Sequence, residues 1–467
     1  MERDCDVVVI GAGPAGEIAA GRLAENGRNV VIVEQELVGG ECSFYSCMPS
    51  KALLRPGELL AEVGRVPGVL ADGGRLDAAA VLARRDEVIA HLDDSSQVPW
   101  LQQRRITLVR GRGRLEGATR VRVGDDLLFA REAVILATGS GPVIPPIPGL
   151  AEAAAWSNRE ITTATTVPAS LTVLGGGVVG VEMAQAWASL GSDVTIVEAL
   201  DRLLAREEPY VGEEIAAALR DLGVTVHIGR KATAVTRQGQ TTTVTLEDGT
   251  EVTGSELLVA IGRRPHSEDL GLESVGLSGR GPVPVDDQLR VDGVPGLYAV
   301  GDINGRSLLT HSGKYQARIA ADHILGRPAR AWADLAGAPR VIFCDPQVAA
   351  VGVTFADARE QGVDAIAIDL PTSGTAGASF YGRGAAGTSR FVVDRDRERL
   401  IGVTFVGAEV ADFLQAATVA VIGEVSLGRL AHAIAPFPTR SELWLKFIEA
   451  YEAETGHSLH ADPDPDC

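Results

Sequence analysis

Residues 4–16, DCDVVVIGAGPAG, decide the fold class. The apolar run Val7–Ile10 breaks into Gly11-x-Gly13-x-x-Gly16, with Pro14 and Ala15 opening the segment after the turn. Residues 28–36, RNVVIVEQE, supply a second strand with Glu34 at its tip. The pattern returns at 170–180, SLTVLGGGVVG, as Gly175-x-Gly177-Val178-x-Gly180, followed by SDVTIVEAL ending in Glu198. In both copies the acidic residue lies 18 positions after the last glycine. The first glycine makes the tight turn, the second lets the backbone approach a pyrophosphate, and the third permits close helix–strand packing. The helix N-terminus offers free N–H groups and a positive dipole end to the anion. The carboxylate suits a ribose diol. One such motif is weak evidence; two copies, each strand–turn–helix–strand–Glu, predict two Rossmann-like units and two dinucleotides. Glu198 repels a 2′-phosphate, so the second unit is expected to prefer NADH over NADPH, moderated by nearby Arg202.

The bulk properties set the frame. A chain of 467 residues suggests about two to four domains. Hydrophobic content of 45% and charged content of 22% are those of a globular protein. The net charge of −19 disfavours nucleic acid and anionic membrane, whose phosphates select a basic face. No apolar run is long enough to span a bilayer, and the N-terminus lacks a signal-peptide pattern, so the expected location is cytoplasmic. Five cysteines, Cys5, Cys42, Cys47, Cys344 and Cys467, are too few and odd in number for a secreted disulfide framework.

Residues 39–51, GGECSFYSCMPSK, place Cys42 and Cys47 after Gly39–Gly40 and before Lys51. Residues from Cys47 onward read as a helix, whose N-terminus lowers a thiol pKa. A dithiol/disulfide couple is the leading reading. An inert pair and a metal site are the alternatives, the latter lacking a second Cys/His cluster at usable spacing. No metal is expected. Two further strands end in Ala137-Thr138-Gly139 and Gly301-Asp302, where a carboxylate at a strand tip can bind polyol hydroxyls.

With these segments in place, the chain resembles the class I pyridine nucleotide–disulfide oxidoreductases. The matching pieces are GAGPAG, GGxCxxxxCxPSK, ATGS, GGGVVGVE, AIGRRP (with Gly262), YAVGDI and FCDPQVAAVG, in the family's order. The resemblance implies an α/β fold of two Rossmann-like dinucleotide-binding domains plus a C-terminal α+β dimerisation domain. FAD would bind residues 1–149 and 271–333, and NAD(H) residues 150–270. An interface domain, 334–455, would form a homodimer, leaving a flexible tail at 456–467. It implies that Cys47 is the thiol beside the flavin and Cys42 the outer thiol that attacks a small disulfide or dithiol substrate. Lys51 and Glu182 match the family's ion pair beside the flavin. Electrons would pass from NADH through FAD and the thiols to the substrate.

One departure stands out. Disulfide-reducing members carry a histidine in an HPTxSE-like stretch, held by a glutamate, as general acid–base. Here the stretch is APFPTRSE, residues 435–442, so Phe437 takes the histidine position while Glu442 remains. His311 and His432 are candidate substitutes. Phe437 keeps a second reading open, in which the acceptor is a thiol-bound metal ion or a quinone. A third is a flavoprotein subunit that docks into a larger complex. Phe44 and Tyr45 either narrow the pocket or pack beneath it. Cys344 reads as a buried small residue, and Cys467 as part of a disordered, inactive tail, with reach to a partner's active site as the alternative.

Overall fold

The computed structural model describes residues 2–69 and 74–460. The first sheet has seven strands. Its parallel centre runs Thr107–Arg110, Val30–Glu34, Glu2–Ile10, Asp126–Leu136, with Leu297–Ala299 beside the last. Val7, Val8 and Val9 are fully buried, because helices or further strands cover both faces of this run. A continuous apolar run, rather than an alternating one, is what such a strand requires.

The second sheet repeats the design with four parallel strands, ordered Thr225–Ile228, Asp193–Glu198, Ser170–Leu174, Glu256–Val259. The helix Val178–Ser189 follows its central strand and is buried along most of its length, Trp187 included. The C-terminal sheet is different: five antiparallel strands, Arg340–Ile342, Gln347–Gly352, Arg399–Gly407, Thr388–Asp394 and Ala365–Pro371. Its core is aromatic. Phe391 stacks on Phe447 with centroids 4.3 Å apart, and meets Phe405 and Trp444 edge-on. The fold is thus two Rossmann-like units and an α+β C-terminal unit. Among the described residues no helix is long and apolar enough to cross a membrane.

Between the sheets runs the helix Cys47–Arg65, preceded by the short helix Gly40–Phe44. The long helix packs against Val178–Ser189 on one side and reaches the C-terminal unit through Arg65–Asp345 (2.5 Å) and Glu58–Gln347 (2.5 Å). The cysteine segment therefore sits where all three units meet.

Candidate active site

The two glycine loops have the same geometry, glycine by glycine. At Gly11 (φ +105°) a Cβ would lie 2.3 Å from the Ala137 carbonyl oxygen; at Gly175 (φ +108°) it would lie 2.5 Å from that of Ala260. These are the tight turns that only glycine adopts. A Cβ at Gly16 or Gly180 would lie 1.9 Å from the carbonyl oxygen of Gly11 or Gly175, which is the close helix–strand approach. Gly13 and Gly177 differ: a Cβ on either would meet nothing within 4 Å. Each loop's backbone is open at its middle glycine, the point at which the motif leads one to expect a diphosphate, and both loops line one cavity of about 1780 Å³. The residues present fit two dinucleotides.

Each strand-tip carboxylate is fixed by its own loop. Glu34 accepts hydrogen bonds from the N–H of Ala12 (2.8 Å) and of Glu36 (2.7 Å). Glu198 accepts from the N–H of Gly176 (2.5 Å) and of Leu200 (2.6 Å). Burial pushes the Glu34 carboxyl up, against the pull of those N–H groups. Both carboxylates remain on the cavity wall. Arg202 turns away from it: its guanidinium bonds Asp201 and the Ala205 carbonyl.

Asp302 accepts a 2.6 Å hydrogen bond from the Ser140 hydroxyl, and Arg263 donates to that same hydroxyl at 2.8 Å. Burial raises the Asp302 carboxyl while Ser140 opposes the rise. Gly301 N–H is held by Gln316, and the Thr138 hydroxyl donates to the His266 carbonyl. Pro14, Ala15, Gly40, Ala137, Thr138, Gly139, Val178, Gly262, Gly301 and Asp302 all line the cavity.

Cys42 and Cys47 line it too, as free thiols. Thr310, the first residue of the helix Thr310–Ile324, lies 3.1 Å from Cys42 Sγ and 3.4 Å from Cys47 Sγ through its hydroxyl. The Ser46 hydroxyl is 3.5 Å from Cys47 Sγ. Competition between the two thiols for one proton holds the Cys47 pKa well below the ordinary thiol value and pushes that of Cys42 up. Burial opposes the drop at Cys47; Thr310, Ser46 and the Lys51 charge add to it. Lys51 Nζ bonds Glu182 at 2.8 Å, and the other Glu182 oxygen accepts the Phe343 N–H at 2.9 Å. The Glu182 side chain is 4% exposed and that of Lys51 34%. One buried carboxylate thus holds one cation on the cavity wall, one helical turn after Cys47.

Other expected site residues are placed elsewhere. Glu442 accepts the Gly377 N–H at 3.0 Å. Phe437 is 77% exposed and Ile434 96%, on the loop ahead of the last helix, Glu442–Thr455. His432 is exposed beside the His460 ring. His311 is exposed and absent from the cavity wall, although its neighbour Thr310 touches both sulfurs. Phe44 is buried, whereas Tyr45 lines the cavity. Cys344 is buried and donates to the Pro346 carbonyl. Cys467 lies outside the described residues. Sequence reasoning missed Thr310, Ser140 and Arg263. The only signal for Thr310 was its position beside a singled-out histidine.

The family described as pyridine nucleotide-disulphide oxidoreductase matches residues 5–321, and its dimerisation domain matches residues 338–447. The dihydrolipoyl dehydrogenase of Chlamydia pneumoniae is 30% identical over 470 residues, covering 99% of this chain and 100% of the relative. That of Haloferax volcanii is 32% identical over 471 residues, covering 97% of each. Among solved structures, the Cu(II) complex of the HOCl-induced flavoprotein disulfide reductase RclA from Escherichia coli superposes with a TM-score of 0.85. Its identity is 26%, over 96% of this chain and 99% of that one. LpdA from Mycobacterium tuberculosis gives a TM-score of 0.83 at 28% identity, over 95% of this chain and 99% of that one.

Proposed function

Because the chain belongs to the pyridine nucleotide-disulphide oxidoreductases, FAD- and NAD(H)-using enzymes that act on sulfur, we propose that it reduces a small disulfide, or oxidises the matching dithiol, through Cys42 and Cys47. The observation that carries this reading is the pair of thiols bridged by one hydroxyl on the wall shared with both glycine loops. Residues 1–149 with 271–333 hold FAD, 150–270 hold NAD(H), and 334–455 form a homodimer interface. Lys51 would supply the cation for bound flavin, and Glu182 balances a charge that would be costly to leave alone.

The thiol chemistry follows from the unequal acidity of the two thiols. Cys42 gives its proton to Cys47, and its sulfur then attacks one sulfur of the substrate. The substrate S–S bond breaks, and the released thiolate takes the proton from Cys47. Cys47 next attacks the Cys42 sulfur, releasing the second substrate thiolate and leaving a Cys42–Cys47 disulfide. Two electrons have moved from the pair to the substrate. Bound FAD and NADH supply the two electrons that restore the dithiol. Thr310, in contact with both sulfurs, steadies whichever carries the charge, a role its neighbour His311 is not placed to fill. The exposed loop 434–441 and Glu442 serve the partner subunit's thiol pair in the homodimer.

Phe437 favours a second reading. It carries no proton, and a missing general acid–base costs about 10²- to 10⁴-fold in thiol exchange. Reduction of a thiol-bound metal ion would not need that proton. The test is anaerobic NADH titration of the holoenzyme, counting thiols and following thiolate-to-flavin charge-transfer absorbance, in wild type and Cys47→Ser. Two new thiols per chain and a band lost in the variant support the proposal. Flavin bleaching with no new thiols and no band defeats it and favours direct transfer to a quinone.

A further inference from the structure

The two cysteines lie on different helices, and the chain breaks between them. The short helix ends at Phe44, and Ser46 has φ −142° and ψ −91°, outside both helical and extended regions. Whatever holds Tyr45 and Ser46 therefore sets the relation of the two sulfurs. The Tyr45 carbonyl accepts two side-chain hydrogen bonds, from Asn158 Nδ2 at 3.0 Å and Thr162 Oγ1 at 3.1 Å. Arg159 stands over the Tyr45 ring, 4.6 Å from its centroid. Glu41, next to Cys42, receives Arg159 Nε at 2.5 Å on one oxygen and Asn158 Nδ2 at 2.8 Å on the other. Arg159 also reaches Glu36 at 2.9 Å, and Arg263 bonds Asn158 Oδ1 at 3.2 Å.

Asn158, Arg159 and Thr162 all belong to the helix Asn158–Thr163. That helix is fixed to the second nucleotide sheet. Just before it, Trp156 N–H donates to Leu257 O (2.7 Å) and Trp156 O accepts from Val259 N–H (2.9 Å). A Ser157–Glu160 capping box starts the helix, and the buried Arg85 binds the Thr162 and Ala164 carbonyls at its end. The segment between the thiols is thus held from the nicotinamide side.

We propose that Glu41 and Arg159 are positioning residues of the thiol pair, holding the inter-cysteine segment and neutralising a carboxylate next to Cys42. The proposal rests on the reading of Cys42 and Cys47 as the redox pair. It gives the two residues opposite electrostatic effects. Without Arg159, the Glu41 charge, left with the more distant Arg263 at 3.9 Å, opposes a thiolate; without the Glu41 charge, Arg159 favours one. A purely structural hold would move both variants the same way.

The experiment uses chemically reduced holoenzyme, following ultraviolet thiolate absorbance against pH in Arg159→Gln, Arg159→Lys and Glu41→Gln. Arg159→Gln is expected to raise the first thiol ionisation by about one pH unit, Glu41→Gln to lower it, and Arg159→Lys to restore it. Disulfide turnover in Arg159→Gln should fall about tenfold, while NADH-driven dye reduction, which needs no thiol, stays within about twofold. Equal midpoints in all three, or shifts of the same sign in Arg159→Gln and Glu41→Gln, overturn the proposal. Should Arg159→Gln lose FAD, the isosteric Glu41→Gln decides by the sign of its shift. The functional reading fails separately, in wild type, if NADH produces no new thiols.

Discussion

Replacing Thr310 by valine removes the hydroxyl that touches both sulfurs and changes little else, since valine has nearly the same shape. The hydroxyl has one proton, so it stabilises one thiolate at a time. A hydrogen bond to a charged group contributes about 1.5–3 kcal/mol, and a sulfur acceptor at 3.1–3.4 Å takes the low end, about 1.5 kcal/mol. That is about one pKa unit. Cys47 keeps the influence of Cys42, Ser46 and the Lys51 charge, so its pKa rises while staying below the ordinary thiol value. The sign follows directly. At any pH between the two midpoints, wild type holds a thiolate and Thr310→Val a thiol, so exchange slows toward tenfold there and recovers as the pH rises. The assay is ultraviolet thiolate titration of the reduced holoenzyme in a Cys467→Ser background. Cys5, pushed up by burial to about 11, and Cys344, pushed well above the ordinary value, stay protonated and out of the way. Thr310→Ser, which keeps the hydroxyl, should titrate like wild type. A Thr310→Val midpoint that moves by less than about 0.3 unit, or moves down, would refute the assignment of the hydroxyl as a thiolate donor.

Lys51→Met leaves the Glu182 carboxylate buried with only the Phe343 N–H, and should lower stability by about 1–2 kcal/mol, discounted because the lysine is a third exposed. Thermal unfolding checks this, and adding Glu182→Leu should recover part of the loss. A Cβ at Gly177 meets no protein atom, so Gly177→Ala should keep fold and FAD yet raise the NADH KM by about tenfold or more; Gly13→Ala should weaken FAD binding instead, as flavin content will show. Phe437→His, at an exposed position, should leave thermal stability unchanged and raise turnover on small disulfides up to about 10²-fold in steady-state NADH oxidation.

The fold was legible because its signals are local. Val7–Ile10 ends in a glycine triplet whose members each take the role that triplet spacing predicts, from turn to open face to packing contact. The cysteines and Lys51 were legible for the same reason, lying within ten residues of one another. What was hidden is long-range. Thr310 is 268 residues from Cys42, and Ser140 is 162 from Asp302. The pairing of Leu297–Ala299 with Asp126–Leu136 brings the last two together. His311 carried the expected chemistry, but the helix starting at Thr310 points the neighbouring side chain at the sulfurs. Phe44 and Tyr45 could not be told apart by composition; adjacent on a short helix and its end, they face opposite ways. The grip of Asn158–Thr163 on Tyr45 was out of reach, because a backbone carbonyl leaves no mark in the sequence.

The helix Val178–Ser189 has a bearing on how this enzyme could change over generations. Its first residue follows Gly177, the open point of the second nucleotide loop, and Glu182 sits about one turn further along, at roughly 1.5 Å of rise per residue. A helix this short behaves as one rod. Any tilt that suits a new nucleotide at its tip also moves the carboxylate that holds Lys51. The two inheritances are welded. A lineage seeking a different nicotinamide donor therefore has its freedom at the Asp193–Glu198 strand tip and the residues after it, where a side chain can be exchanged without moving the rod.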